Sequence, residues 1–182
     1  MDDRQERLVI LSSVIAATLA TTLPGGLDEL RENGHKIFHD FALPNQGNID
    51  HIAVGPAGVF AIETKTRRKK KSETKQREQD VIFDGKFLQF PNGSTVDGID
   101  QCKRQAEILS RWLFRRLRRK QFVVPVLTIP GWFVRATTKC DFQVVNPKQL
   151  REIINQKKGS LSRSEIDEIA VIIDQKCRDV IF

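Results

Sequence analysis

Two acidic residues intrude on runs that are otherwise apolar: Asp50 in Asn48–Val54 and Glu63 in Val59–Lys65. Strand alternation puts Val59, Ala61, Glu63 and Lys65 on one face and Phe60, Ile62 and Thr64 on the other. An acid and a base then point the same way at the end of a core strand, where either alone is costly to bury. By the same alternation Asp50 shares its face with Ile52 and Val54. The Gly55-Pro56-Ala57-Gly58 turn makes the two runs antiparallel neighbours, and pairing back from it brings Asp50 near Glu63. Two carboxylates at one strand end repel each other and raise a pKa unless a cation lies between them. Oxygen ligands of this kind suit Mg2+ or Mn2+, which keep several waters and a substrate phosphate in their shell. Acidic-x-Lys spacing alone says little, because it occurs four times: Glu63/Lys65, Glu73/Lys75, Asp84/Lys86 and Asp174/Lys176. Only the first lies in an apolar strand with another intruding acid on the strand before it. The competing structural reading is a Glu63–Lys65 ion pair at a strand end, with Asp50 as a turn residue.

The charge around this pair is uneven. The chain has 182 residues and a net charge of +7, and residues 65–75 and 103–120 hold 15 of its 30 basic residues against Glu73 and Glu107. Such clustering implies a polyanion partner, with nucleic acid ahead of an anionic membrane surface. Arg67, Arg68, Lys69, Lys70 and Lys71 follow the acidic strand directly, placed for phosphate-backbone contact, as are Lys103 and Arg104. The arginines and lysine of 115–120 end a helix, where cations also favour the macrodipole. No glycine-rich phosphate loop, Ser/His/Asp order or zinc spacing competes. Cys102, Cys140 and Cys177 make no CxxC pair and read as reduced thiols in a cytoplasmic protein.

The elements that must position these residues follow from pattern. Length and composition suit one domain over 1–182, with its motif core at 36–135 and C-terminal helices within 147–176. Leu27–Asn33 makes a helical turn or two closed by Gly34. Lys36–Phe41, Asn48–Val54 and Val59–Lys65 are strands. Asp84-Gly85 marks a two-residue hairpin between Val81–Phe83 and Lys86–Phe90. Asp100 to about Arg119 is an amphipathic helix with Ala106, Leu109 and Leu113 on its apolar stripe. Phe122–Ile129, Trp132–Arg135 and Phe142–Val145 are further strands. Asn146-Pro147 opens a helix to about Gln156, and Ser162-Arg163-Ser164-Glu165 is a capping box before another. The order describes an α/β sandwich.

Leu8–Leu23 carries no charge, but as a helix it would be roughly 24 Å long, short of the ~30 Å hydrocarbon core. Its five hydroxyls and acidic flank favour a buried core helix, stopped by Pro24-Gly25-Gly26, over a membrane anchor or a signal peptide. His51 points away from Asp50 by alternation, as a packed or hydrogen-bonded histidine rather than a ligand.

Asn48-Ile49-Asp50-His51, then Glu63-Thr64-Lys65 with twelve residues between Asp50 and Glu63, resembles the PD-(D/E)XK nuclease superfamily. The stretch from Leu43-Pro44 through Gly47-Asn48-Ile49-Asp50 to Glu63-Thr64-Lys65 is more closely similar to the NERD (nuclease-related) domain. The match is tight over 36–65 and looser to about 145. The resemblance implies a restriction-endonuclease-like three-layer α/β sandwich, a four-stranded mixed sheet between helices, and Mg2+- (or Mn2+-) dependent phosphodiester hydrolysis. It assigns Asp50 and Glu63 to the metal, assisted by the Thr64 backbone carbonyl. Lys65 would orient or deprotonate the attacking water, and Gln101 would sit at the cleft from the following helix. The chain departs from the family at the first helix, whose Gly-Glu acid is missing. Glu6 is the nearest substitute as a further metal ligand, and Glu29 a weaker one. DNA is favoured over RNA as partner; self-association and partner domains stay open. Two other readings accompany this one: a non-catalytic nucleic-acid-binding module, and an accessory domain tethered to a membrane through 8–23.

Overall fold

The computed structural model describes residues 26–43, 47–68, 80–156 and 160–178. In chain order the elements are α1 (Gly26–Glu32), β1 (Lys36–Ala42), β2 (Asn48–Gly55), β3 (Gly58–Thr64), β4 (Asp80–Phe83), β5 (Leu88–Phe90) and β6 (Gly93–Thr95). They continue with α2 (Ile99–Leu117), β7 (Val123–Thr128), β8 (Phe133–Ala136), β9 (Gln143–Val145), α3 (Pro147–Asn155) and α4 (Arg163–Arg178). The helix expected at 8–23 and Glu6 lie outside the described residues, as do Lys69, Lys70 and Lys71. No helix among the described residues is long and apolar enough to cross a membrane.

Five strands form the main sheet in the order β1-β2-β3-β7-β9. The first three are an antiparallel meander, and β3–β7 and β7–β9 are parallel, so the sheet is mixed. β3 is buried at every position, as a central strand covered on both faces must be. Alternation sends Val59 and Ala61 to one side, against Leu109 and Leu113 of α2 and Ile169 and Ile173 of α4. Phe60 and Ile62 go to the other, against Leu30 of α1 and Leu150 and Ile154 of α3. Helices on both faces of one mixed sheet make the three layers of a restriction-endonuclease-like α/β fold.

The expected four strands are five because the three-residue β9 adds to the far edge of β7. A second sheet, β6-β5-β4-β8, was not legible in the pattern. It packs Val81, Phe83, Leu88 and Val134 against Ile99 and Cys102 at the start of α2. The Asp84-Gly85 hairpin exists with a longer loop: Phe83 pairs with Leu88, and Asp84 Oδ1 accepts from the Lys86 and Phe87 amides at 2.9 and 2.7 Å. Both helix caps predicted downstream are present. Asn146 and Gln149 exchange side-chain and backbone bonds, and Ser162 does so with Glu165.

Candidate active site

The site forms where β2 and β3 part. Their ladder runs from Gly55↔Gly58 to His51↔Ile62 and stops. β2 stays on β1 as far as Asn48↔Ala42, and β3 stays on β7 as far as Thr64↔Thr128. Beyond the last pair a side chain replaces the ladder: the Thr64 backbone N–H donates to Asp50 Oδ2 at 2.8 Å. Regular alternation fails nearby. Asp40 on β1 has φ 53°, and Phe38 and Phe41, three positions apart, both pack toward α2. Ile49 and Ile52 on β2 do the same, so Asp50 does not simply share its face with Ile52 and Val54 as expected.

Glu63 is only 4% exposed and is gripped from α2. Gln101 Nε2 donates to its Oε1 at 2.8 Å, and Gln105 Nε2 donates to its Oε2 at 3.0 Å. Lys65 Nζ lies 3.4 Å from Glu63 Oε1 and donates to Gln101 Oε1 at 3.1 Å. The lysine stem crosses the start of α2 at Gly98, whose φ is +81° and where a Cβ would lie 2.9 Å from Lys65 Cγ. Only glycine suits both demands at that position.

The electrostatics are those of an acidic pair that one lysine compensates only in part. Burial raises the Asp50 carboxyl above the usual range, opposed by the Thr64 amide and Lys65, with Asp40 adding to the rise. Burial raises Glu63 as well, and the Asp50 charge raises it further, while Gln105 and Lys65 oppose both effects. Beneath them the Cys102 thiol is pushed up to about 12, by burial first and the Glu63 charge second, so it is no nucleophile.

The structure thus brings Asp50, Glu63, Lys65 and Gln101 together. The Thr64 amide serves Asp50, and its hydroxyl lies 3.0 Å from that of Thr128. Other expected residues stand apart. Glu29 pairs with Arg151 of α3 at 3.4 Å, on the far side of the sheet, and is not part of the site. The Arg67 guanidinium packs 4.1 Å from the Phe90 ring centre and donates to Asn92 Oδ1 at 3.3 Å. Arg68 and Arg104 are exposed. Lys103 sits about 200° round α2 from Gln101, and its ammonium lies 5.3 Å from the Phe142 ring centre, away from the carboxylates.

Gln105 was missed. Its signal was the four-residue spacing from Gln101, which puts both amides on one flank of α2. It is 2% exposed, and its Nε2 also donates to the Asn48 carbonyl at 3.0 Å, while its Oε1 has no partner among the described residues. An unpaired buried acceptor costs about 1–3 kcal/mol.

A mixed sheet between helix layers, with two acids and a lysine at its opened end, defines a nuclease-like α/β domain of the restriction-endonuclease class. The family model of the nuclease-related domain (NERD) matches residues 22–130, and the chain belongs to that family, within the PD-(D/E)XK-like nuclease superfamily. No curated protein and no solved structure matches the chain.

Proposed function

We propose that this chain is a divalent-metal-dependent nuclease that hydrolyses phosphodiester bonds in nucleic acid, DNA ahead of RNA. One observation carries the reading: Asp50 and Glu63 meet where β2 leaves β3, with Lys65 beside them and no other cation in contact among the described residues. The donor set fits a hard cation. Both carboxylates have their pKa raised by burial, and Asp50 Oδ1 accepts no hydrogen bond among the described residues. Asp50 and Glu63 would hold Mg2+ or Mn2+, with the Thr64 carbonyl assisting. The metal would supply Lewis acidity and a more acidic bound water.

The chain's own residues do the rest. Gln101 fixes Lys65 by accepting from Nζ and fixes Glu63 by donating to Oε1, so base and acid keep one geometry. Lys65 orients or deprotonates the attacking water and places positive charge beside the phosphate as negative charge develops there. Substrate is recruited along α2. Arg104, Arg111 and Arg115 recur at 7 and 4 positions and form one ridge on the solvent side of the helix. Among the described residues only Arg111 has an acidic partner, Glu107 at 3.8 Å. The three free thiols favour a reducing, cytoplasmic setting, and the layers favour one domain over 1–182.

One observation favours a second reading, a binding module without cleavage: among the described residues no three His, Cys, Asp or Glu gather as a metal site. Titrating Mg2+ or Mn2+ into wild type and Asp50→Ala, with cleavage of supercoiled and single-stranded DNA measured in parallel, separates them. Metal-dependent cutting that vanishes in the variant is expected. DNA binding without cutting or metal uptake in wild type overturns the nuclease.

A further inference from the structure

Two glutamines one turn apart on α2 take one oxygen each of Glu63, and the family resemblance covers only the first. We infer that Gln105 is a second positioning residue, which holds the Glu63 carboxylate in the plane that metal uptake needs and ties β2 to β3 beyond the end of their ladder. The inference rests on the metal-dependent reading above.

The chemistry of its neighbours fixes how the Gln105 amide must lie. Both groups it meets, the Asn48 carbonyl and Glu63 Oε2, are acceptors at 3.0 Å, so the NH2 faces them. A flipped amide would set oxygen against two oxygens. The orientation leaves Oε1 buried without a donor among the described residues, in a helix stretch whose companions Cys102, Ala106 and Leu109 are apolar and fully packed. A leucine there would remove the orphaned Oε1 but would take the Gln105 donor away from Glu63 Oε2 and the Asn48 carbonyl. What it would lose is the bridge from the first residue of β2 to the acid on β3, across the gap where no backbone pair holds the strands. Gln101 alone would leave Glu63 Oε2 unheld and the carboxylate free to turn about its terminal bond.

The test is direct Mn2+ binding by titration calorimetry on wild type, Gln105→Met and Gln105→Leu, without nucleic acid, with thermal unfolding as a control and DNA cleavage measured against Mn2+ concentration. Both variants are expected to bind Mn2+ about 10–100-fold more weakly and to recover most of their cleavage rate at saturating Mn2+. A role confined to packing would lower the melting temperature and leave the half-saturating concentration in place. In wild type, the Gln105 side-chain amide protons are expected to be protected from exchange and to shift in NMR spectra on Mg2+ addition. This reads the same contact should neither variant fold, and amide protons that do not respond overturn the inference. So does a folded Gln105→Met that binds and cuts at wild-type Mn2+ concentrations, which leaves the nuclease reading intact. A wild type that takes up no Mn2+ overturns both.

Discussion

Consecutive residues of β2 show opposite solutions to burying a charge. Asp50 accepts from the Thr64 amide at the opened end of β3, beside Glu63, and burial raises both carboxyls. His51 looks toward α1 and joins His39, Nδ1 to Nδ1 at 2.8 Å, while Arg31 of α1 bonds His39 Nε2 at 3.1 Å. Burial, His39 and Arg31 bring His51 down to about 4, so this imidazole is neutral near pH 7. His35 is lowered too, its ring pressed so close to Gly55 that a Cβ there would meet it at 2.2 Å. Both faces contain ionisable groups that burial opposes. A bound cation relieves the acidic face and does nothing for the histidine face, so metal and pH become separate probes of the two sides.

The largest difference should appear in catalysis. Glu63→Ala is expected to reduce cleavage to background while nucleic-acid binding persists, and Lys65→Ala to cost roughly 10²–10³-fold. His51→Phe, one residue from Asp50 but on the other face, should cut at wild-type rates in the same assay. Equal losses in both would break the distinction. Metal should also separate the faces by stability. At 100 times its dissociation constant, Mg2+ is expected to stabilise wild type by about 2.7 kcal/mol and Asp50→Asn by far less. Without metal, Asp50→Asn should melt higher than wild type, since it keeps an acceptor for the Thr64 amide and removes the repulsion; calorimetric scans decide both.

Acid acts on the other side. His51 has a folded pKa below its unfolded value of about 6.5, so its neutral burial is fully accommodated above that pH. Stability is then lost as pH falls from about 6.5 to about 4, by on the order of 3 kcal/mol. The carboxylates contribute with the opposite sign, because raised acids are relieved by protonation as pH falls. Urea unfolding between pH 7 and pH 4 should show a slope that His51→Phe flattens and Asp50→Asn does not. The smallest effect belongs to the ridge: Arg104→Ala should lower the dependence of log affinity on log salt by about one unit, leaving Mn2+ binding unchanged.

The strands of the main sheet were legible because their apolar runs are bounded by turn residues, and the helices because caps and stripes agree. Asp50, Glu63 and Lys65 were legible for the same reason: polar residues stand out in core strands. Gln105 did not, since a single polar residue beside an apolar stripe resembles the edge of any amphipathic helix. The parting of β2 from β3 was hidden because alternation assumes a continuous ladder. The second sheet was hidden because its parallel pairing, Asp80↔Phe133 onward, joins segments that share no local pattern.

The parallel pairing of β3 with β7 also has a kinetic consequence. The acids arrive on a hairpin only a few residues long at its turn, whereas Thr64 and Thr128, hydroxyl to hydroxyl at the strand ends, are 64 positions apart. Local pairing is fast and closing a long loop is slow. The two carboxylates therefore come together early, before α2 is clamped over them by β7, and their mutual repulsion falls on a half-formed sheet. A divalent cation present during refolding should speed that early step, making the order of assembly itself sensitive to metal.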